Sequence, residues 1–368
     1  MKVLFCSPYL DSQNVVKGGI NTWGNYVLNY WRKNGLNDVE IIPISFDRHR
    51  EVGEVSTGFI SRVGSGLKEL GSSSKLAIKE MKYNCPDVVH LCTSASLSLL
   101  KDIILIKAAK KYNIKTILHL HFGRIPELQK INNWEWKLLL KTIRMVDVPV
   151  VMDEKSLNVL KANGLTNTVF LPNPLSEDVL NYCNRNQDKV KIPNQLLFVG
   201  HVLKSKGVIE LVEGCVNIPN TKLRIVGKYS DDMKQELITL AKKRDNGNWL
   251  TFVGEMSHED VIQEFLSAEI FVFPSYTEGF PNVILEAMAC GCTIVASNVG
   301  AIPEMLDVDH NACGLCISPR STKSVTNAVY KIQNDPILKK GLAEAAKQRV
   351  KEKYAMSKVW NQLIKLWN

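Results

Sequence analysis

The chain has 368 residues, 45% of them hydrophobic and 23% charged, which is enough for two ordinary domains and typical of a globular protein. Its formal net charge of +9 predicts an anionic ligand or surface as a partner. Charge alone does not distinguish a nucleotide, a nucleic acid and a phospholipid headgroup. Neither a basic tail nor an aromatic RNA-binding motif occurs in the sequence, so we expect no nucleic acid partner.

The N-terminal residues and the cysteines indicate the cellular compartment. Residues 1–10 hold one lysine and a short apolar run, too short for a signal peptide, and predict a first strand. No apolar run reaches the roughly 20 residues that cross a bilayer. The nine cysteines are an odd number in mostly apolar surroundings, so we expect reduced thiols in a cytoplasmic protein. Cys313 and Cys316 have the spacing of a zinc or redox motif, but without a second such pair we interpret them as strand packing.

In the first part of the chain, apolar runs alternate with segments of helical periodicity. The first strand is followed by a polar loop ending in Gly18-Gly19 and by a helix from Ile20 to Arg32. A glycine loop between strand and helix lets backbone amides approach a phosphate or sugar, although tight turns also use glycine pairs. Residues 47–74 predict a polar loop with a short helix. The other predicted elements are strands at Val39 to Ile44, Asp87 to Leu91, Lys115 to His121, Val148 to Met152 and Thr168 to Leu171, and helices at Leu97 to Tyr112, at Asn132 to Met145 and from Lys155.

Two histidines lie near the end of the fourth of these strands. His119 and His121 share one face of a regular strand, but no third metal ligand follows at a recognisable spacing, so the sequence predicts no metal there. Open parallel sheets bind ligands at the carboxyl ends of their strands, which is where His121 lies, just before Arg124. A histidine that only hydrogen-bonds to backbone is the alternative, and the local sequence does not decide between the two.

The predicted helix Asn132 to Met145 combines an apolar stripe with Trp134, Lys137 and Lys141. Such a helix can lie on the surface of an anionic bilayer. It can equally pack its apolar stripe on a core and expose a basic face. The first interpretation predicts peripheral membrane contact, and both stay open.

Asn173-Pro174 and the polar residues after it interrupt the alternation. We therefore predict a linker over residues 173–194, between domains at residues 1–172 and 195–353. Two runs of alternating strands and helices predict an α/β protein with two Rossmann-like doubly wound parallel sheets that face each other across a cleft. The second run has predicted strands at Leu196 to Gly200, Leu223 to Gly227, Leu250 to Val253, Glu269 to Phe273, Thr293 to Ala296 and Gly314 to Ile317, and helices from Val208, Asp231, His258, Ser321, Pro336 and Ser357.

The stretch PSYTEGFPNVILEAMACGCTIVAS, residues 274–297, joins two of these strands through a loop and a helix. Pro281 fits the first helical position, where its missing N–H costs nothing. The N–H groups that follow, near Asn282 and Val283, predict a site for an anion such as a phosphate.

Two carboxylates in this stretch and polar groups at other strand ends suggest a single ligand. Glu286, within an apolar helix, is costly to leave unpaired, and the two hydroxyls of a ribose would satisfy it. Glu278 precedes the helix and is better placed near a non-nucleotide end. Lys206 is a flexible cation suited to phosphate, and Gly227 lies at another strand end. With His121 from the first domain, these groups predict a nucleoside diphosphate joined to a hydroxylated group.

Residues 274–297 resemble the Glu-x7-Glu signature of retaining glycosyltransferases of family 4, which have the GT-B fold. VGHVLKSKG resembles that family's Gly-Arg-x4-Lys-Gly loop, NVGAIPEML its Gly-x-x-x-Glu segment, and LHLHFG the strand end with its N-domain histidine. The resemblance covers nearly all of the chain. It implies transfer of a hexose-type sugar from a nucleotide-diphosphate sugar to an acceptor hydroxyl, without a metal or other cofactor. It also implies that the C-terminal helix, within residues 354–368, crosses back to the first domain.

The matching positions imply a role for each residue. Residues 1–172 would form the acceptor side, with Arg124, and residues 195–353 the donor side. His121, Lys206 and Glu278 would be catalytic: His121 would face the reacting sugar, Lys206 would neutralise the leaving diphosphate, and Glu278 would bind the donor sugar. The donor-binding residues would be Gly18, Gly19, His201, Gly227, Met256, Gly279, Phe280, Asn282, Val283 and, on the ribose, Glu286.

One position departs from the family pattern. Five residues before Lys206, where the family usually has arginine, this chain has His201. Histidine is largely neutral at about pH 7 and makes no bidentate fork to phosphate, so Lys204 would be the substitute cation. The sequence leaves three functions open: a glycosyltransferase for surface polysaccharide or glycolipid, a sugar-nucleotide epimerase of the same fold, and a non-catalytic nucleotide-sugar-binding protein, which His201 favours.

Overall fold

The structure, a computed structural model, describes residues 1–9, 18–35, 38–46, 59–186 and 188–368, with only the backbone at residues 18 and 59–70. The chain divides into two compact units, Met1–Asn173 with Val359–Asn368, and Pro174–Lys358. Each unit contains a six-stranded parallel sheet. The predicted α/β class with two doubly wound parallel sheets is therefore confirmed.

The strands of the first unit are β1 (Lys2–Ser7), β2 (Glu40–Ser45), β3 (Val88–Thr93), β4 (Lys115–Leu120), β5 (Val148–Val151) and β6 (Val169–Phe170). They form a sheet of order β2-β1-β3-β4-β5-β6, with every neighbouring pair parallel. The inner strands β1, β3, β4 and β5 are almost completely buried, as in other parallel sheets covered by helices on both faces, which is why they read as largely apolar runs. The helices are α1 (Gly18–Asn34), α2 (Phe59–Tyr83), α3 (Ser98–Lys111), α4 (Ile125–Ile131), α5 (Trp134–Ile143) and α6 (Glu154–Ala162).

The strands of the second unit are β7 (Ile192–Val199), β8 (Lys222–Val226), β9 (Leu250–Gly254), β10 (Ala268–Phe273), β11 (Thr293–Ser297) and β12 (Leu315–Ile317). They form a sheet of order β12-β11-β10-β7-β8-β9 that is also parallel throughout. The helices of this part of the chain are α7 (Glu177–Arg185), α8 (Val208–Val216), α9 (Asp231–Ala241), α10 (His258–Ser267), α11 (Asn282–Ala289), α12 (Ile302–Met305), α13 (Thr322–Asn334), α14 (Pro336–Arg349) and α15 (Met356–Trp367).

The last helix, α15, returns the chain to the first unit, as the resemblance implies. Residues from Val359 onward belong to that unit. Trp360 and Trp367 are buried, and the indole N–H of Trp367 donates a hydrogen bond of 3.1 Å to Nδ1 of His90 on β3. The apolar spacing at the end of the sequence is thus explained by packing on the first sheet.

The segment predicted as a linker, residues 173–194, differs from that prediction. It contains α7 and the start of β7, and residues from Pro174 onward belong to the second unit. The segment is polar because α7 is amphipathic and buries only Leu180 and Cys183. The return to the first unit also starts later than residue 354, since Leu175 forms a bridge with Ala355 inside the second unit.

Two other helices differ from the sequence prediction. The short helix expected within residues 47–74 is the 25-residue helix α2, whose glycines and serines weaken its periodicity; residues 47–58 lie outside the described residues. The helix predicted to begin at Asn132 begins at Trp134, because Asn132 is left-handed at φ 51° and Asn133 caps α5. No helix within the described ranges combines the length and hydropathy needed to cross a bilayer.

Candidate functional site

Two of the predicted site residues of the second unit, Lys206 and Glu278, lie where the strand order of its sheet reverses. From β7 the chain first adds β8 and β9 on one side and then adds β10, β11 and β12 on the other. The loops after β7 and β10 therefore flank a topological switch point, where open α/β sheets bind ligands. Lys206 lies in the first of these loops and Glu278 in the second.

Lys206 and Glu278 form an ion pair at this point. Lys206 ends a 3₁₀ turn, Lys204–Lys206, and its Nζ lies 2.6 Å from Oε1 of Glu278. The two side chains are only 28% and 13% exposed, so the contact is a shielded, charge-assisted hydrogen bond. Lys204 instead pairs with Glu236 on α9, at 3.1 Å and largely in solvent. The two lysines of the turn are therefore in different environments.

Tyr276 ties the two loops together. Its backbone N–H donates to the carbonyl of Ser205 at 2.9 Å, and its hydroxyl donates to Oε1 of Glu210 on α8 at 2.6 Å. Burial, followed by the contact with Glu210, raises the pKa of Tyr276 to about 12. The hydroxyl therefore stays protonated and remains a donor at neutral pH.

Two glycines allow the backbone to pass close to these loops. Gly207 has φ +71°, and a Cβ there would lie 2.0 Å from the carbonyl oxygen of Pro274. Gly300 has φ +55°, and a Cβ there would lie 2.3 Å from the carbonyl oxygen of Glu278. Neither position has room for a side chain, and both conformations favour glycine.

The loop that carries Glu278 leads directly into α11. Pro281 is not the first helical residue as predicted: it is the N-cap, with an extended ψ of 114°, and the helix starts at Asn282. Proline's fixed φ suits either position, so only ψ distinguishes them. Phe280 is buried against Tyr354 at 5.7 Å between ring centroids, and Gly279 accepts a hydrogen bond from the backbone N–H of residue 301 at 2.9 Å. Asn282 and Val283, both half-buried, form the first turn.

Glu286 is buried on α11, and its carboxylate contacts His258. Nε2 of His258 lies 2.8 Å from Oε1 of Glu286, with the side chains 38% and 8% exposed. The hydrogen bond to Glu286 is the main cause that raises the pKa of His258 above its usual value. Glu286 is thus a buried acid on α11, and its partner in the chain is His258, a histidine that no motif in the sequence marks.

The other predicted donor-side residues lie at neighbouring strand ends. Gly227, which follows β8, has φ +131°, and a Cβ there would lie 2.1 Å from the carbonyl oxygen of Gly200 after β7. The two strand ends are therefore in backbone contact. His201 is exposed just after Gly200, and Met256 is half-buried between β9 and α10.

In the first unit, His121 follows the end of β4. Its backbone N–H donates to Thr93 at 2.8 Å, and its ring centroid lies 4.0 Å from that of His119 and 5.0 Å from that of Trp23. Nε2 is shielded from solvent and has no hydrogen-bond partner among the residues that the structure describes. Burial, with a smaller effect of His90, lowers the pKa of His121 to about 3, so the ring is neutral at physiological pH.

The remaining predicted residues of the first unit start helices. Gly18 and Gly19 are the first two residues of α1, and Gly19 is exposed. Arg124 precedes α4, and its Nη2 lies 3.3 Å from Oε1 of Glu135 with 46% of the arginine side chain exposed. Arg124 is thus partly ordered and still accessible to a ligand.

Three possible metal ligands meet beneath His121, because the strand register pairs Cys92 with His119 and places His90 nearby. Their ligand atoms lie within 4.8 Å of one another, in a buried cluster that spacing along one strand did not reveal. Nδ1 of His90, however, accepts the indole N–H of Trp367, so a neutral His90 carries its proton on Nε2. His90 then has no lone pair for an ion. Burial lowers the pKa of both histidines and raises the pKa of Cys92, so we interpret the cluster as two neutral imidazoles packed with a neutral thiol.

A family profile described as "Glycosyl transferases group 1" matches residues 184–349. An uncharacterized glycosyltransferase of Methanocaldococcus jannaschii is 28% identical over 208 residues, 56% of this chain and 52% of the relative. Mycobacterium tuberculosis glycogen synthase is 26% identical over 308 residues, 78% of this chain and 68% of the relative. The Staphylococcus aureus capsular polysaccharide biosynthesis glycosyltransferase CapM is 26% identical over 176 residues, 46% and 45% respectively. The chain thus spans about half the length of the first and third relatives.

Solved structures share the fold over the whole chain. Anabaena HepE in complex with UDP has a TM-score of 0.70 at 16% identity, covering 100% of this chain and 99% of HepE. Sucrose-phosphate synthase from Thermosynechococcus elongatus has a TM-score of 0.73 at 20% identity, covering 100% and 98%. The chain therefore has the GT-B fold. The region that matches the glycosyl transferases group 1 profile, residues 184–349, includes all the donor-side residues described above from His201 to Glu286.

Proposed function

We propose that the protein is a retaining glycosyltransferase that moves a hexose-type sugar from a nucleotide-diphosphate sugar to an acceptor hydroxyl. The observation that carries this proposal is the shielded Lys206–Glu278 pair at the switch point, immediately before the helix that bears Glu286. The location of this pair inside the region that matches the glycosyl transferases group 1 profile supports the proposal further.

In this proposal the second unit binds the donor. Glu286 accepts hydrogen bonds from the ribose hydroxyls, and Lys206 exchanges Glu278 for the diphosphate. Glu278, once released, accepts hydrogen bonds from hydroxyls of the donor sugar. Backbone groups of Gly279 and of the first turn of α11 contact the sugar or the diphosphate, because a helix N-terminus favours negative charge.

The proposed reaction exchanges one bond to the anomeric carbon for another. The bond from that carbon to the diphosphate oxygen breaks, and both of its electrons leave with the nucleoside diphosphate. Lys206 stabilises this developing charge from a fixed position. The acceptor oxygen bonds to the same face of the anomeric carbon, and the proton of the acceptor passes to the departing phosphate. No metal ion enters these steps.

The first unit supplies the acceptor side in this proposal. A neutral His121 at a strand end offers a hydrogen bond to the reacting sugar without placing a second cation there. Arg124, accessible and partly ordered by Glu135, would orient an anionic or hydroxylated acceptor. A surface-polysaccharide or lipid-linked acceptor is supported by the capsular polysaccharide relative, CapM.

Membrane contact on the cytoplasmic side is part of the same proposal. Helix α5 buries Trp136 but leaves Trp134 56% exposed, next to Ile131 at 57% and beside the exposed lysines 137 and 141. Exposed apolar side chains flanked by lysines are typical of a surface that binds anionic lipid.

Liposome flotation tests the membrane part. The triple variant Trp134→Ala/Lys137→Glu/Lys141→Glu should lose binding to vesicles containing phosphatidylglycerol. A control with the exposed lysines of α6 reversed, Lys155→Glu/Lys161→Glu, should keep most of it. Equal flotation of the triple variant and the wild type would contradict the assignment of this surface.

The transfer itself is tested with a panel of nucleotide sugars and the NMR analysis of their products. The proposal predicts release of nucleoside diphosphate and transfer of the sugar with unchanged anomeric configuration. A changed donor sugar without an acceptor would instead identify an epimerase. Tight binding without any turnover, even slow hydrolysis, would identify a non-catalytic binding protein.

A further inference from the structure

The contact between His258 and Glu286 has no role in the reaction described above. Glu286 is 6% exposed, and an ionised carboxylate at such a site needs hydrogen-bond donors. His258 supplies one at 2.8 Å through Nε2. This contact joins residues 28 apart in the sequence and links α10 to α11.

The position of His258 is fixed by the start of its helix. Ser257 caps α10, with its hydroxyl accepting from the backbone N–H of Asp260 at 3.1 Å, so His258 is the first helical residue. The cap sets the backbone of His258 independently of Glu286. The backbone that carries the imidazole is therefore held in place without the contact to Glu286.

The contact with His258 engages only one of the two carboxylate oxygens of Glu286. Oε1 of Glu286 faces Nε2 of His258, which makes Nε2 the protonated nitrogen when the ring is neutral. Oε2 is not used by His258. Because His258 is itself partly exposed, the pair satisfies the buried acid without burying a second charge. Besides Glu286 from α11, the titratable group that acts on His258 is Cys183 from α7.

We propose that His258 is a positioning residue for Glu286: it holds one carboxylate oxygen so that the other accepts a ribose hydroxyl, which makes the site select ribonucleotides over 2′-deoxyribonucleotides. This inference rests on the proposed function, in which Glu286 binds the ribose. His258 acts through Glu286, so its removal lowers affinity only for a ligand whose hydroxyl the carboxylate accepts.

Calorimetric titration with paired ligands tests this role. UDP, GDP and ADP are titrated first, and the tightest is compared with its 2′-deoxy counterpart. The wild type should prefer the ribonucleotide by about 10- to 150-fold, the range for a hydrogen bond to a charged group. His258→Ala and Glu286→Gln should each reduce this preference to about twofold or less, mainly by weakening the ribonucleotide. His258→Gln should retain most of it, since its amide N–H reaches nearly as far as Nε2.

Control variants distinguish a failure of the positioning role of His258 from a failure of the proposed ribose site at Glu286. Glu259→Ala removes the neighbouring, exposed carboxylate of α10 and should leave the preference at the wild-type value. If His258→Ala does not fold, His258→Asn serves as the disrupting variant, because its amide is too short to reach Glu286. A preference that is lost in Glu286→Gln but intact in the disrupting variants His258→Ala and His258→Asn would overturn the positioning role and leave the ribose site at Glu286 supported. No preference in the wild type, or no binding of any of the three diphosphates, would overturn both.

Discussion

Replacing Lys206 with alanine should slow sugar transfer far more than it weakens donor binding. Nζ of Lys206 already lies 2.6 Å from Glu278 and is largely shielded, so the cation is ordered before any charge develops on the diphosphate. Removing one such preorganised group costs about 10²- to 10³-fold in kcat, or about 2.7–4 kcal/mol. The dissociation constant should change less, because the charge on the leaving group grows only as the bond breaks.

The assay is release of nucleoside diphosphate at saturating donor and acceptor, with the dissociation constant of the diphosphate measured in parallel. Lys204→Ala is the matched control, because this lysine belongs to the same 3₁₀ turn. The sequence suggested it as a substitute cation for the diphosphate, but in the structure it pairs with Glu236 rather than with Glu278, and the two side chains are 65% and 42% exposed. Exposed pairs contribute little, so this variant should stay within about twofold of the wild type. A Lys206→Ala enzyme within threefold of the wild-type kcat would refute the leaving-group role, as would a loss confined to binding.

Two further predictions concern the same unit. Because Glu286 raises the pKa of His258 above 6.5, the stabilisation from this pair is complete below about pH 6.5 and is lost as pH rises through the raised pKa. The Tm of the wild type should therefore fall between about pH 6 and pH 9 by more than the Tm of His258→Gln does. Equal falls in Tm would contradict the assignment of this pair. Gly300→Ala places a Cβ against the Glu278 carbonyl at φ +55° and should cost about 1–3 kcal/mol of unfolding free energy together with donor affinity, as seen by denaturant titration and calorimetry. The control is Gly341→Ala, because Gly341 lies within α14 and a Cβ there would meet open space. This substitution should stabilise the protein by about 0.5–1 kcal/mol.

Much of the fold was predictable because parallel strands buried on both faces appear in a sequence as apolar runs separated by helical periodicity. Helices without that contrast were harder to predict. Three glycines and a run of serines obscure α2, and the single amphipathic stripe of α7 resembles a polar linker when read without its partners. Local composition cannot reveal packing that only tertiary contacts supply.

The positions of the site residues could be predicted from the sequence, but the contacts between them could not. The sequence placed Lys206 and Glu278 in loops after two strands, and the strand order of the sheet explains why those loops meet. That the two side chains pair with each other does not follow from their spacing. The His258–Glu286 contact likewise depends on how α10 lies beside α11, which no local pattern encodes.

The cluster of His90, Cys92 and His119 could not be predicted from the spacing of residues in the sequence. Spacing along one strand showed only two histidines, and pairing with the neighbouring strand brings in two further possible ligands, His90 and Cys92. The hydrogen bond from Trp367, more than 270 residues away, then decides the tautomer of His90. Chemistry set by a distant part of the chain is not visible in the local sequence.

The most direct test of the donor site is calorimetric titration of the wild type and Glu286→Ala with the nucleoside diphosphate that raises the Tm most. The loss of hydrogen bonds from a ribose to a buried carboxylate should weaken binding by about 10- to 150-fold, with the fold intact by circular dichroism. A dissociation constant that is the same in both proteins would contradict the assignment of Glu286 to the ribose and, with it, the donor site proposed for the second unit.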